Sequence, residues 1–409
     1  MLLKLASNGA AYGTSVALGT IATLFGISVI ISEEGATVWG GLAVAQTIGA
    51  LAAIVIACGW GVMGPAAVAG LASADRGRYF INSLTSRTLL LVVLVIPYLI
   101  LVFALSPPGT SILPNAISGA TVLLTALGSD FFFVGIAKPW LLLLFDALPR
   151  ILGTIAGAAA LLATHQVLWF VVPQLLGALL AIVIATSAIS RSYPPGKLNP
   201  SLHDSVARLK GNSAGLLAAS MVGLYVRVPI LLVSALAPSG IPAFALIDKL
   251  QKFGNAALVP VTQVAQGYVP AAKSGIEKAD RVRRVLQAAC LVAFGAGTAF
   301  YLAIPTAAGI VSAGEIDIST PLRLAFSVIL AAIVVSGVAA LAGLMNLGEA
   351  RSVAASATFG TVFGIPLCVL MTMKFGIEGA AWSVAATESA VTTYQLVVLR
   401  RALRRLSGQ

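Results

Sequence analysis

The chain has 409 residues, 59% of them hydrophobic and only 10% charged, with a mean hydropathy of +0.99. A water-soluble domain carries about 25% charged residues, so this chain lacks the polar surface to cover itself in water. Its net charge of +11 sits mostly in short connections, where it acts as a topology signal and not as a nucleic-acid surface. The three cysteines, Cys58, Cys290 and Cys368, are scattered and give neither metal spacing nor a disulfide framework.

Apolar runs of about 20 residues recur along the whole length, each long enough to cross roughly 30 Å of hydrocarbon as a helix. None shows the period-two alternation of a membrane strand. The first, Ala10 to Ile31, is longer than a signal-peptide core and has no cleavage pattern after it, so it reads as the first span. Twelve spans are predicted, near 10–31, 38–61, 84–105, 115–136, 140–163, 167–189, 213–236, 241–267, 285–310, 322–346, 352–373 and 377–399.

With both termini cytoplasmic, the inner segments hold nearly all the Lys and Arg. These are "ADRGR" (74–78), Lys138, "RSYPPGKLNPSLHDSVARLK" (191–210), "KSGIEKADRVRR" (273–284) and "RRALRR" (400–405). The opposite loops are "SEEG" (32–35), "SPPGTS" (106–111), "APSG" (237–240) and "GEID" (314–317), with Lys374 the one clear cation. An odd number of spans would break this alternation. The outer loops are too short to fold as a domain, and the inner ones too short to hold a nucleotide-binding domain. Trp39, Trp169 and Trp382 fall near span ends, as interfacial anchors do.

The longest connection, residues 191–212, divides the chain into an N-terminal six-helix bundle (1–190) and a C-terminal one (213–409). Two short matches suggest that the halves are copies: "PAAVAG" (65–70) with "PAAKSG" (270–275), and "GIAK" (135–138) with "GEAR" (348–351). Each half has an even number of spans, so the copies insert the same way up. The expected fold is an all-α integral membrane protein of about twelve transmembrane helices. Its two six-helix bundles would be related by a pseudo-two-fold along the membrane normal, with a substrate site between them.

Charges inside spans are costly, about 2.5–3.5 kcal/mol each on insertion scales, and usually face a wet cavity. In "FALIDKLQKFGNAALVPVTQ" (244–263), Asp248 and Lys252 are spaced i,i+4, and Asn255, Thr262, Gln263 and Gln266 extend the polar stripe. An internal Asp248–Lys252 pair would account for two charges; Lys249 makes the stripe net positive. Arg227, in "GLYVRVPILL" (223–232), has no acid on its own helix and calls for an anion from another helix or a ligand. In "FDALPRIL" (145–152), Asp146 and Arg150 can satisfy each other as a structural pair. Asp130 in "GSDFFFVG" (128–135) and Glu388 in "AATESAV" (385–391) are lone acids. Either could pair with Arg227 or Lys249, or carry a proton or sodium ion, and Asp248 is a third candidate for ion coupling. His165 and His203 read as solvated loop residues. No catalytic or metal-binding motif is present, so no resident cofactor or metal is expected, and energy would come from an ion gradient or the substrate's own gradient.

At this point the chain resembles the multidrug/oligosaccharidyl-lipid/polysaccharide (MOP) exporter superfamily, and more narrowly its Wzx-type polysaccharide flippases. The resemblance rests on "VWGGLAVAQTIGALAAIVIACGWGVMGPAAV" (38–68), "DFFFVGIAKPWLLLLFDALPRILGTI" (130–155) and "FALIDKLQKFGNAALVPVTQVAQGYVPAA" (244–272). It implies a V-shaped pair of bundles in the bacterial cytoplasmic membrane, moving undecaprenyl-pyrophosphate-linked oligosaccharide to the outer leaflet by alternating access. Arg227, Lys249, Lys252, Asn255 and Gln263 would bind the substrate. Partners would be the lipid-linked glycan, membrane lipids, and the polymerase and glycosyltransferases of the same pathway, around a monomer. One departure is that lipid II flippases of this superfamily carry arginines in span one, and this chain has none before Arg76. Two alternatives stay open: a cation-coupled multidrug or metabolite exporter of the same superfamily, and, in another class, a membrane polysaccharide polymerase or ligase.

Overall fold

The computed structural model describes residues 2–196, 202–211, 213–272 and 274–407, and among these every regular element is helical. In chain order the α-helices are α1 (Leu2–Glu34), α2 (Ala36–Ala57), α3 (Trp60–Gly70), α4 (Ser73–Leu105), α5 (Ile112–Leu123), α6 (Asp130–Gly135), α7 (Pro139–Leu142) and α8 (Leu148–Thr164). They continue with α9 (Leu168–Ser192), α10 (Leu202–Gly211), α11 (Ser213–Leu236), α12 (Ile241–Tyr268), α13 (Gly275–Val311), α14 (Thr320–Gly337) and α15 (Ala350–Ser407). Nine described stretches are long and apolar enough to cross a membrane. The last of them holds two crossings, because Gly376 breaks α15 with φ 59° and ψ −140°, a backbone state that only glycine adopts readily. With α11 and the more charged α12, the described residues make twelve crossings, as the sequence predicts.

Several crossings are assembled from pieces. Span two is α2 and α3, separated by two successive left-handed residues, Cys58 (φ 43°) and Gly59 (φ 78°). Span four is α5, a 3₁₀ turn (Leu124–Leu127) and α6. Span five is α7, a π-helical turn (Leu143–Ala147) and α8, and span ten is α14 followed by π (Val338–Leu344) and 3₁₀ (Met345–Leu347) turns. Helices α4 and α13 begin about ten residues before their predicted spans, because hydropathy marks where lipid begins and not where backbone hydrogen bonding stops.

By its contacts the chain forms two compact units, residues 1–227 with 311–315, and residues 228–310 with 316–409. The division falls inside α11. The start of α11 belongs with the first unit, since Gly223 faces Ile54 and Leu216 joins the cluster of Phe80, Phe131 and Phe132. The 191–212 connection, of which 197–201 and 212 lie outside the described residues, contains α10. That helix packs on α4, where Arg208 Nε donates to Ser86 Oγ at 3.3 Å, and reaches the break between α2 and α3, where the Cys58 thiol lies 3.8 Å from the Leu209 carbonyl. Residues 311–315 join the first unit through Glu315, whose Oε2 accepts the Ala36 N–H at 3.2 Å and so caps α2.

The two repeat matches fare differently. "PAAVAG" is the helical second half of span two, whereas the described part of "PAAKSG" lies largely in the turn after α12. They are not equivalent positions. Spans four and ten, by contrast, end in the same motif. The Ala137 and Lys138 N–H groups bond the carbonyls of Val134 and Phe133, and those of Gly348 and Glu349 bond Met345 and Leu344. Ala137 and Gly348 are both left-handed. Each is a Schellman termination, and the equivalence pairs Lys138 with Glu349, two residues out of the register that "GIAK" and "GEAR" suggest.

Candidate functional site

Within the first unit, polar groups gather where span four is broken. The 3₁₀ turn and the non-helical Gly128 and Ser129 leave backbone carbonyls without helical partners. Arg87, four turns into α4, supplies them. Its Nη1 donates to the Ala126 and Gly128 carbonyls, both at 2.8 Å, while Nε and Nη2 bond the Ser83 carbonyl and hydroxyl at 3.3 and 3.2 Å. The guanidinium also lies 5.0 Å from the centre of the Phe131 ring. Arg87 is only 2% exposed, which its five donors make tolerable. The sequence reading missed this residue, although "NSLTSR" (82–87) places a lone arginine inside a predicted span.

Asp130 opens α6 beside this knot and stays exposed, within electrostatic reach of both Arg87 and Asp146. Asp146 sits on the π turn of span five, where Arg150 Nε lies 3.2 Å from its Oδ1. Phe133 of α6 packs against Phe145, with ring centres 6.1 Å apart, and this joins the two spans. Arg227 stands half-buried at the end of the first unit's share of α11, two residues before Pro229. The spacing thus brings Asp130, Asp146 and Arg150 into one neighbourhood, with Arg87 as its buried anchor.

In the second unit, α12 carries the polar stripe. Lys252 Nζ and Asp248 Oδ2 are 2.6 Å apart, and Lys249 on the adjacent turn position feels both charges. Asp248, Lys249, Lys252 and Asn255 are half-buried, and Gln263 is exposed. Gln251, passed over in the sequence reading, is buried with its Nε2 lacking an acceptor. Phe244 anchors the helix by packing edge-on against Phe326 of α14, with ring centres 5.4 Å apart. Glu388 is half-buried on the last crossing. Two turns further on, Gln395 links Ser336 and Ser356 at 3.0 and 2.9 Å.

One sequence expectation is overturned, that for Trp39, and His165, still exposed in its loop, gains a partner. His165 does not stand alone: its Nδ1 lies 2.6 Å from Glu33 Oε2, and the two are 132 residues apart in sequence. The side chain of His203 lies outside the described residues. Trp39 is 2% exposed with its indole N–H unpartnered, so it packs in the core instead of anchoring at the interface. Trp169 and Trp382 are exposed. Among the described residues no three His, Cys, Asp or Glu side chains come together.

The chain matches no protein-family profile and no curated relative by sequence. Solved structures do match over nearly its whole length. The lipid II flippase MurJ, in an inward closed conformation, superimposes with a TM-score of 0.70 at 14% identity, covering 97% of this chain and 89% of MurJ. An inward-facing multidrug resistance MATE family transporter of the MOP superfamily gives 0.70 at 13%, over 95% of this chain and 96% of that one. A mutant of the Vibrio cholerae MATE transporter VcmN gives 0.55 at 15%, over 98% and 100%. At these identities the likeness is one of fold: the chain is a multi-pass membrane protein with the helical architecture shared by MurJ and the MATE transporters of the MOP superfamily.

Proposed function

We propose that the protein is a flippase that moves undecaprenyl-pyrophosphate-linked oligosaccharide from the inner to the outer leaflet of the bacterial cytoplasmic membrane by alternating access. The observation that carries this reading is the cation excess of α12. Asp248 is engaged by Lys252 at 2.6 Å, and Lys249 adds a second cation one position after Asp248, half-buried in a crossing. A pyrophosphate brings about two negative charges, which are costly to carry through low dielectric without compensation. Arg227, at crossing depth on α11, adds a planar, permanently charged fork suited to phosphate oxygens. Asn255 and Gln263 extend the polar stripe toward the sugars.

A second reading is a cation-coupled exporter, supported by the MATE likeness and by the exposed carboxylate of Asp130. Under either reading Asp130, Asp248 and Glu388 are the groups through which a proton or sodium gradient would act. In everted membrane vesicles, the flippase reading expects movement of a lipid-linked glycan and none of a cationic dye. Transport of the dye alone would replace it with the second reading. The reading also expects a sidedness from the distribution of Lys and Arg: a cysteine placed in 106–111 or 237–240 should be labelled from outside and one in 191–210 only from inside.

A further inference from the structure

Hydropathy makes Arg323 the second residue of span ten, and the structure gives its guanidinium few partners. Its Nη2 donates to the Thr320 hydroxyl at 2.7 Å, and the group lies 5.5 Å from the centre of the Tyr301 ring on α13. The Nε is buried without an acceptor. Glu378, the acid that reaches this end of α14, accepts the Ser319 hydroxyl at 2.6 Å, and among the described residues no carboxylate pairs with Arg323. Arg323 is half-buried, while Thr320 and Pro321 beside it are exposed.

Contacts with two helices fix its level. Gly297 of α13 meets Ser327 of α14, and Tyr301 meets Arg323, so the pair is antiparallel. Beyond Tyr301, α13 continues to Val311, about 15 Å further at 1.5 Å per residue. Ile310, near that end, is 72% exposed, as a lipid-facing residue is, so the guanidinium is sunk below the rim of the bundle. Helices α12 and α14 run the same way, since Phe244 meets Phe326 and Thr262 meets Gly337. Lys249 follows Phe244 inward and Arg323 precedes Phe326 outward, which sets Arg323 about 12 Å nearer the end expected outside.

A guanidinium held at this depth with unmet donors is costly. Arg87, whose donors end on carbonyls, shows how such a group is otherwise satisfied. A phosphate accepts the N–H groups of the fork in parallel, and Thr320, which accepts from Nη2, keeps its own proton to donate. We propose that Arg323 and Thr320 form a site in the outer leaflet for the phosphate of a lipid head. Under the flippase reading, on which the occupant's identity rests, this site receives the carrier's pyrophosphate after it leaves α12.

Native mass spectrometry of the purified full chain tests the site with three probes: undecaprenyl pyrophosphate, phosphatidylglycerol and inorganic pyrophosphate. The unaltered chain is expected to bind two undecaprenyl pyrophosphates, one at α12 and one at Arg323. Arg323→Ala should weaken one of them about ten- to a hundredfold, the loss of a charge-assisted hydrogen bond. Thr320→Val should weaken the same one a few-fold, and the double Lys249→Ala/Lys252→Ala substitution only the other. If Arg323→Ala fails to fold, undecaprenyl pyrophosphate with a photoreactive head, applied to the unaltered chain, should label Tyr301 or the first turn of α14. Wild-type binding by both Arg323→Ala and Thr320→Val, or labelling absent from these residues, would overturn the site. Phosphatidylglycerol bound there as tightly as the carrier would keep the lipid-phosphate site and remove it from the carrier's path. Inorganic pyrophosphate bound as tightly as either lipid would rule out a lipid head as the occupant. Binding at Arg323 by a chain that exports dye and not glycan would keep the site and contradict the flippase reading.

Discussion

Two sites, around Arg87 on α4 and along α12, hold their intramembrane cations in opposite ways. In the first, Arg87 is 2% exposed and its donors end on the carbonyls of a broken span and on Ser83. In the second, Lys249 and Lys252 stand half-buried on one unbroken helix, and the paired Lys252 side chain remains 37% exposed. A cation committed to backbone carbonyls has little left to offer a ligand; it fixes where a helix stops. A cation on the flank of a continuous helix can exchange its partner for an anion. Depth in the membrane is therefore a poor guide to role, and the commitment of the donors is a better one.

Breaking the first kind of site should have the largest effect. Arg87→Ala leaves the Ala126 and Gly128 carbonyls buried without their donor, and each orphaned group costs about 1–3 kcal/mol. We expect the variant to lose abundance and thermal stability together, with Arg87→Lys recovering part of both. A stable Arg87→Ala protein with lost transport would instead place this arginine among the substrate-binding groups.

The second kind should respond in transport and not in stability. Arg227→Ala is expected to reduce glycan export about ten- to a hundredfold at normal membrane levels, the loss of a charge-assisted hydrogen bond. Arg227→Lys should be partly active, because charge survives and the bidentate geometry does not. Lys249→Ala and Lys252→Ala should each be milder, a few-fold. Equal collapse of abundance in these variants would erase the contrast with Arg87.

The smallest effect belongs to Asp146 and Arg150, whose side chains are 21% and 22% exposed. A partly solvated pair contributes about 1 kcal/mol or less. Arg150→Ala should lower thermal stability slightly, and the double Asp146→Ala/Arg150→Ala substitution should recover part of it. Normal stability of the single variant with complete loss of export would move this pair into the transport site.

The sequence carries the crossings because hydropathy and the sidedness of Lys and Arg are properties of composition, readable without contacts. The i,i+4 neighbours Asp146–Arg150 and Asp248–Lys252 are legible for the same reason: helical geometry alone brings them together. What escapes are contacts set by irregular backbone. Arg87 could be seen as an arginine inside a span, but its partners lie 39 and 41 residues away in a turn that hydropathy reads as continuous helix. His165 finds Glu33 across two loops. The burial of Trp39 depends on how α2 packs, which its position near a span end does not reveal.

The most direct measurement is the leaflet position of undecaprenyl-linked glycan in cells carrying the Arg227→Ala/Lys249→Ala double substitution, with membrane levels of the protein checked. A cationic route for a pyrophosphate-linked substrate predicts glycan accumulating on the cytoplasmic face at normal protein abundance. Flipping at the wild-type rate by the double variant would contradict it.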